Sequence, residues 1–492
     1  MFAWGDFSPQ CVQKIAALAC ADMQAAREGR SFPDLEQLAS LGTSGAHPNK
    51  CYADLMNKLH GNATTPEPCQ GSAQFEQHPL RWQGDYRTHL IPLSMHGDDV
   101  PITGIGKGWV QKLTTFQWSS LVAYGQSTID WLFWIWASFE KARQGGAAHG
   151  GTLHEFFAIL RWSLDSLFSG VWPSEDWYSP SSREGRRAGT FLANGYRAVL
   201  WAIIGDLDYL AAVFGFPRHN AAKPCALCNC STSGEHPWTD FSPSASWRAT
   251  MWTPQSWLDS PSKLPNPLFS CAGVTACSVA YDYMHLKYLG SDQYSFGAVL
   301  TLLVYHVLPA DPEENVVQIW DEIKTDYQQY NVPVRYRYLN KISMFYRPAY
   351  GFPKLRGKAA EIKYFGATLL RVWEKHMNVE IELHRRVRLM LRMNVMCEQL
   401  LTECKEEVCF PEPRCTQFAE AMDAMLLLQT QIAEHFVEEG LQYFDVTAKS
   451  HMLQHCALAA KHLSPRVVWC FAGEDMQKKL QTLAKSSVKG NG

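Results

Sequence analysis

YRAVLWAIIGDLDYLAAVFGFPRHNAAKPCALC, residues 196–228, is the stretch on which the fold turns. A nearly unbroken apolar run, 196–205, ends on Asp206, and 19 residues later comes Cys225, the first of a Cys-x2-Cys pair with Cys228. Over so short a span, periodicity does not separate a buried strand ending at a site from the first turns of a helix. Either way the run plants Asp206 on a rigid element. Two thiols at this spacing after a proline-containing turn form one half of a tetrahedral zinc site. Cys230 extends the pattern to Cys-x2-Cys-x-Cys, so any two of the three thiols can serve, and His236 is a nearby competitor.

The matching half lies far downstream, in HMLQHCALAAKHLSPRVVWCFAGE (451–474). His451 and His455, four residues apart, share one helix face and can chelate a metal. Glu474 follows His455 by 19 residues, so a metal bound by both halves would hold Glu474 beside Asp206 across 268 residues of chain. A third acid, Asp98, ends the strand-like run HLIPLSMHGDD (89–99), with Asp99 and Asp208 as register alternatives. Magnesium takes hard oxygen ligands while keeping water and substrate phosphate in its shell, so three converging carboxylates point to phosphoryl transfer on nucleic acid. Aspartate also commonly ends strands and caps helices. It is the joint spacing, not any one acid, that carries the reading. Asp282 and His285, in YDYMHLKYLG (281–290), read as a helix start with a buried histidine.

With 492 residues, 46% of them hydrophobic and 12% aromatic, the chain can bury at least two cores. The first residues lack a basic segment followed by an apolar one, which argues against a secretory signal. The most apolar run, IDWLFWIWASF (129–139), is too short to span a bilayer, contains Asp130, and reads as a buried helix. The 15 cysteines are odd in number and scattered, which fits reduced thiols in a cytosolic or nuclear protein. A net charge of −3 is unlike a nucleic-acid enzyme, but it conceals a segregation: residues 335–392 hold 14 Lys/Arg against 4 Asp/Glu. Arg385, Arg386 and Arg388 lie in this block and are the candidate phosphate contacts. A solvated helix face would show the same composition.

The order of elements is α/β. Residues 1–87 form a helical and loop region with no finger or helix-turn-helix signature, and 88–224 form the first part of a core. In that part, GWVQKLTTFQWSSLVAY (108–124) is strand-like with a break near Thr114–Gln117, and LHEFFAILRWSLDSLF (153–168) has helical spacing. Residues 225–445 hold the first zinc half-site, a Trp/Pro/Ser-rich connector and long helical stripes at 360–401 and 418–440. Residues 446–492 hold the histidine pair, a strand-like PRVVWCF and a closing helix with Glu474 in its first turn.

Together, IIGDLDYLAAVFGFPRHNAAKPCALC (203–228), YDYMHLKYLGSDQYSFGAVLTLL (281–303) and KSHMLQHCALAAKHLSPRVVWCFAGED (449–475) resemble the DDE transposases of the CACTA/EnSpm type. That family is related in its core to Transib and to the catalytic subunit of the V(D)J recombinase, and the resemblance covers roughly residues 88–487. It implies an RNase H-like catalytic core interrupted by a large, mostly helical insertion and stapled by zinc on Cys225, Cys228, His451 and His455. Asp98 on the first strand, Asp206 at the end of a later one and Glu474 on the closing helix would hold catalytic Mg²⁺ or Mn²⁺. The implied activity is strand cleavage at transposon ends and transfer of the freed 3′-OH to target DNA. The implied setting is nuclear, as a homo-oligomer on double-stranded DNA, with no membrane. The HGDD context of Asp98 departs from the family pattern. The alternative is an inactive or domesticated relic that binds DNA or a partner without strand transfer.

Overall fold

The computed structural model describes residues 72–488, apart from 84–85, 104–110, 122–127, 129–130, 146–149, 176, 178–186, 193–195 and 262–263. Most of the 1–87 region therefore lies outside the described residues.

The apolar run before Asp98 lies in β1 (Leu90–Thr103), and β2 (Gln111–Ser120), β3 (Phe133–Phe139), β4 (Arg197–Gly205) and β5 (Val279–Tyr281) complete one sheet. Its order is β3-β2-β1-β4-β5. The first three strands are an antiparallel meander, while β4 runs parallel to β1 and β5 parallel to β4. The ambiguous run at 196–205 is thus a strand, buried at every position but its first. Continuous burial is what a central parallel strand covered on both faces requires, and it explains the absent alternation.

Three expectations need correction. IDWLFWIWASF is not a buried helix, because its last seven residues form edge strand β3, with Phe133 and Trp134 exposed. Its aromatics pair across the strands instead, Phe133 on Trp118 at 4.9 Å and Trp136 on Phe116 at 5.7 Å. β2 runs unbroken through Thr114–Gln117, where a register shift against β3 falls between Phe116 and Gln117. PRVVWCF is not a strand, since Pro465–Val468 is a helical turn capped by the Ser464 side chain with proline in its first turn.

The two faces of the sheet differ in chemistry. Gly97, Phe116 and Asp99 face α1 (Thr152–Ser169), where Phe116 meets Phe156 at 4.5 Å and Phe157 at 5.8 Å. Phe116 and Phe157 are fully buried, each contributing about 2–3 kcal/mol of transfer free energy. A short helix follows β4, α2 (Leu207–Tyr209), which continues as one wider turn to Phe214. Past β5, a wide turn (Met284–Ser291), kinked at Leu289–Gly290, leads into α3 (Asp292–Leu302).

The helical block comprises α4 (Pro312–Gln329), α5 (Ala359–His376), α6 (Glu382–Glu403) and α7 (Arg414–Glu438). It shares one continuous buried core with the sheet. Buried ionic groups tie the block together only where each charge is matched. Lys287 Nζ meets Asp292 at 2.8 Å and Glu398 at 3.1 Å, and Asn394 donates to Asp292 at 2.6 Å. Arg371 makes a forked pair with Asp326 at 2.5 and 2.7 Å, joining α5 to α4. The chain then returns through α8 (Ala448–Ala459) to α9 (Phe471–Val488), which covers the second, polar face of the sheet. There Gln477 donates to Thr115 at 2.6 Å and Gln481 to the Pro101 carbonyl at 2.7 Å.

Candidate functional site

The parallel strands fix the level at which the acids emerge. β1 pairs with β4 through His96↔Ile204, and β4 with β5 through Gly205↔Tyr281. Continuing both registers places Asp98, Asp206 and Asp282 in one row, on neighbouring strands about 5 Å apart. A bulge in the β1–β4 pairing, between Leu93 and Ser94, makes this alignment. Without its one-residue shift, Asp98 would fall beside Gly205.

Each of the three expected acids follows a glycine, and each glycine allows a close approach. A Cβ on Gly97 or Gly205 would lie 1.9 or 2.4 Å from the Tyr209 side chain, and one on Gly473 would lie 2.2 Å from the His96 ring. Tyr209 can therefore seat against the ends of both strands, and α9 can press onto β1 over His96. Asp206 caps α2, its carboxylate accepting from the Tyr209 N–H at 2.6 Å. Asp98 accepts from the Asp99 N–H at 2.7 Å, and Glu474 stands in the first turn of α9 with its side chain 39% exposed.

Asp98 feels the charges of the other two acids. Burial, followed by the charges of Asp206 and Glu474, pushes the Asp98 carboxyl up to about 8. The register alternatives point elsewhere. Asp99 accepts from Thr114 on the α1 face of the sheet, and Asp208 is 77% exposed beside Arg218. Asp475, next to Glu474, is held by Thr128 and Lys479 at 2.9 Å each. The ligand atoms of Asp98, Asp206 and Glu474 are not among the described groups that gather within 4.8 Å.

Asp282 and His285 take a larger part than the sequence suggests. Asp282 is buried and accepts from the backbone N–H groups of Met284 (3.0 Å), His285 (3.1 Å) and Cys470 (2.8 Å), and from His285 Nδ1 (2.5 Å). Burial opposes its charge, yet these bonds hold Asp282 below the ordinary carboxylate range. The far nitrogen of His285, Nε2, lies 3.6 Å from Glu474 Oε1. Burial alone would lower His285, but the Asp282 bond and the charges of Asp282, Asp206 and Glu474 hold it above the ordinary histidine range. Asp282 thus ties the end of β5 to the start of α9, and His285 reaches the acid that α9 carries. The available signal was an aspartate directly after a short apolar segment, in step with Asp98 and Asp206.

The thiol and imidazole halves do meet. Cys225 Sγ lies 3.4 Å from His455 Nε2, Cys228 Sγ 3.3 Å from His451 Nε2, and the two Nε2 atoms 3.2 Å apart. Ligands about 2.3 Å (S) and 2.05 Å (N) from a tetrahedral ion stand about 3.5 Å apart for S–N and about 3.3 Å for N–N. The donor set therefore fits a metal such as zinc. The group whose ligand atoms all lie within 4.8 Å of one another is Cys225, Cys228, Cys230 and His451, so Cys230 competes with the expected His455 for the fourth position. His236 is elsewhere, bonded to Ser246 at 3.1 Å. Trp247 covers both imidazoles at 4.5 and 4.9 Å. Behind it, Arg248 pairs with Asp423 at 2.7 Å, and Gln454 donates to the same carboxylate at 2.8 Å, binding α7 to α8. The Tyr281 hydroxyl sits 3.5 Å from Cys225 Sγ and accepts from the Ala226 N–H at 2.8 Å, so the cluster is anchored to β5 as well. The described cysteines are all free.

The basic block is less available than its composition implies. Arg385 and Arg386 share Glu382, Arg392 pairs with Glu374, and Lys375 pairs with Glu322. Glu322, and Asp326 which pairs with Arg371, come from α4, which precedes the block in sequence. Arg388 is half-buried on α6. Among the described residues, no helix is long and apolar enough to cross a membrane. A scan of protein-family models finds no match to this chain, and a search of curated proteins finds none either.

Proposed function

We propose that this chain is a DDE-type DNA transposase with an RNase H-like core, which cleaves a strand at a transposon end and transfers it with two divalent cations. The observation that carries the reading is the register that sets Asp98 beside Asp206, with Glu474 on the last long helix, whose Gly473 lies against His96 of β1. A mixed sheet with β1 at its centre and a helical block between the second and third acids supports it. Mg²⁺ or Mn²⁺ would be held by Asp98, Asp206 and Glu474 and would supply charge to the attacking and leaving oxygens. Of the chain's own groups, His285 orients Glu474, and Asp282 fixes His285 through Nδ1. Zinc on Cys225, Cys228, His451 and His455 would join the two ends of the helical block, so that α9 returns to β1.

The test is nicking of supercoiled plasmid DNA in Mg²⁺ or Mn²⁺. Wild type should nick, while Asp206→Asn and Glu474→Gln should lose about 100-fold or more of the rate. Equal nicking by all three proteins would remove these acids from catalysis. A second reading, the inactive relic, is favoured by the internal pairing of the basic block. Wild-type protein that binds DNA but does not nick it in either metal would select that reading.

A further inference from the structure

Outside the acids and the Cys/His cluster, one group of side chains joins two cations to half-buried rings at the edge of the core. Lys363 on α5 and Arg466, in the turn before α9, both lie over the indole of Trp469, 4.5 and 4.7 Å from its centroid. Trp469 meets Phe471 edge-on at 5.0 Å, and Phe471 approaches Tyr288 at 6.0 Å. Lys363 is also 5.4 Å from the Tyr364 ring, itself 37% exposed. Arg466, Trp469, Phe471 and Lys363 are each half-buried.

The two cations have no carboxylate within 4.0 Å among the described residues. The acid within electrostatic reach of Lys363 is Glu398, and its oxygens are taken by Lys287 at 3.1 Å and by the Tyr288 hydroxyl at 2.9 Å. This sets them apart from Arg371, Lys375, Arg385, Arg386 and Arg392, all of which are ion-paired. Burial, with Arg466 and Lys287 adding to it, holds Lys363 below the ordinary lysine range against the pull of Glu398. Two positive charges therefore stand together here, neither with a carboxylate partner of its own among the described residues.

The group also adjoins the acids. Phe471 and Glu474 are three residues apart on α9 and so share a face. Tyr288 stands three residues past His285, whose Nε2 is 3.6 Å from Glu474. Cations held over rings keep outward N–H donors for phosphate, and aromatic faces accept any unstacked base. In a duplex the base faces are buried in the stack, so rings of this kind select a strand that has been opened.

We propose that Lys363, Arg466, Trp469 and Phe471 form a platform for a single-stranded DNA segment beside the three acids, the cations taking phosphates and the rings taking bases. The choice of DNA rests on the proposed function; the platform itself is testable without catalysis. The probe is a fluorescein-labelled 20-mer of thymidylate, followed by anisotropy across a salt series with the full chain and no added divalent ion.

Wild type should bind it, and Lys363→Gln with Arg466→Gln should weaken binding at least tenfold. That double variant should also shallow the slope of log affinity against log salt by about 1.4, since each phosphate contact on a single strand contributes ~0.7. Trp469→Leu should weaken binding about tenfold with little change in slope. Zinc content and melting temperature equal to wild type would show the variants folded. If they do not fold, the wild type still decides, because bound oligonucleotide should protect Lys363 from amine acylation. Absent binding, unchanged affinity and slope in folded variants, or an unprotected Lys363 would overturn the platform. So would tighter binding of a duplex of equal length that is indifferent to Trp469→Leu. Oligonucleotide binding with these variant effects but no plasmid nicking would leave the platform standing and refute the transposase. Nicking alongside unchanged oligonucleotide binding would refute the platform alone.

Discussion

Gly97, Gly205 and Gly473 show how single residues set the spacing of the site. None of the three is needed for an unusual backbone angle; each is needed because a ring occupies the space of its Cβ. Gly97→Ala should force Tyr209 off the strand ends and cost about 1–3 kcal/mol, as overpacking does, measured by urea unfolding. Gly473→Ala should instead push α9 away from His96 and lower any strand-cleavage rate more than stability. Asp98 carries the pH dependence. Its folded value, about 8, is raised from 3.8, so its contribution to stability is fully present below about 4 and is lost as pH rises through about 8. Asp98→Asn should remove that loss, on the order of 2–5 kcal/mol across the window. Added Mg²⁺ should relieve it in the wild type and not in the variant. Parallel unfolding curves for the two proteins from pH 4 to 8 would show that Asp98 is not strained.

Elements rather than residues decide where Glu474 goes. The helix α9 is placed by Asp282 through the Cys470 N–H, by Gln477 and Gln481 on the sheet, and by α8 with its histidine pair. The cysteine loop after β4 meets α8 through Cys225, Cys228, His451 and His455, under Trp247, and through Gln454, which donates to the Phe241 carbonyl at 3.1 Å. Purified protein should contain about one zinc per chain, lost in Cys228→Ser together with much of the folding free energy, because a structural zinc couples binding to folding. Cys230→Ser should keep its zinc, since Cys225–His455, Cys228–His451 and His451–His455 stand at tetrahedral separations without it. Zinc retained in Cys228→Ser and lost in Cys230→Ser would exchange the two sulfurs. At this scale the strand and helix readings failed where aromatic content hid the period. IDWLFWIWASF is almost continuously apolar after Asp130, and its pairing with β2 made its last seven residues a strand.

For the whole molecule, charge is the instructive quantity. The local excess at 335–392 belongs to a helical block whose neutralising acids sit partly on α4, outside the counted window. Of the three cations Arg385, Arg386 and Arg388, Glu382 offsets one, so replacing all three with Ala removes about two that are available to phosphate. The salt dependence of duplex binding should therefore fall by about 1.8 instead of about 2.7. A fall of the full size would mean that Glu382 does not hold its partners in solution. What the sequence by itself determined was the order of candidate ligands along the chain: two acids outside a cysteine pair and a histidine pair, a third acid on an early strand, and long helices between. Those are properties of residue type and spacing, which survive without coordinates. Only the tertiary structure decided that the run before Asp206 is a strand, that a bulge aligns Asp98 with Asp206, and that Asp282 and His285 reach Glu474. It also decided which cations are left unpaired. Register, facing and charge pairing arise between segments far apart in the chain, and no local pattern encodes them.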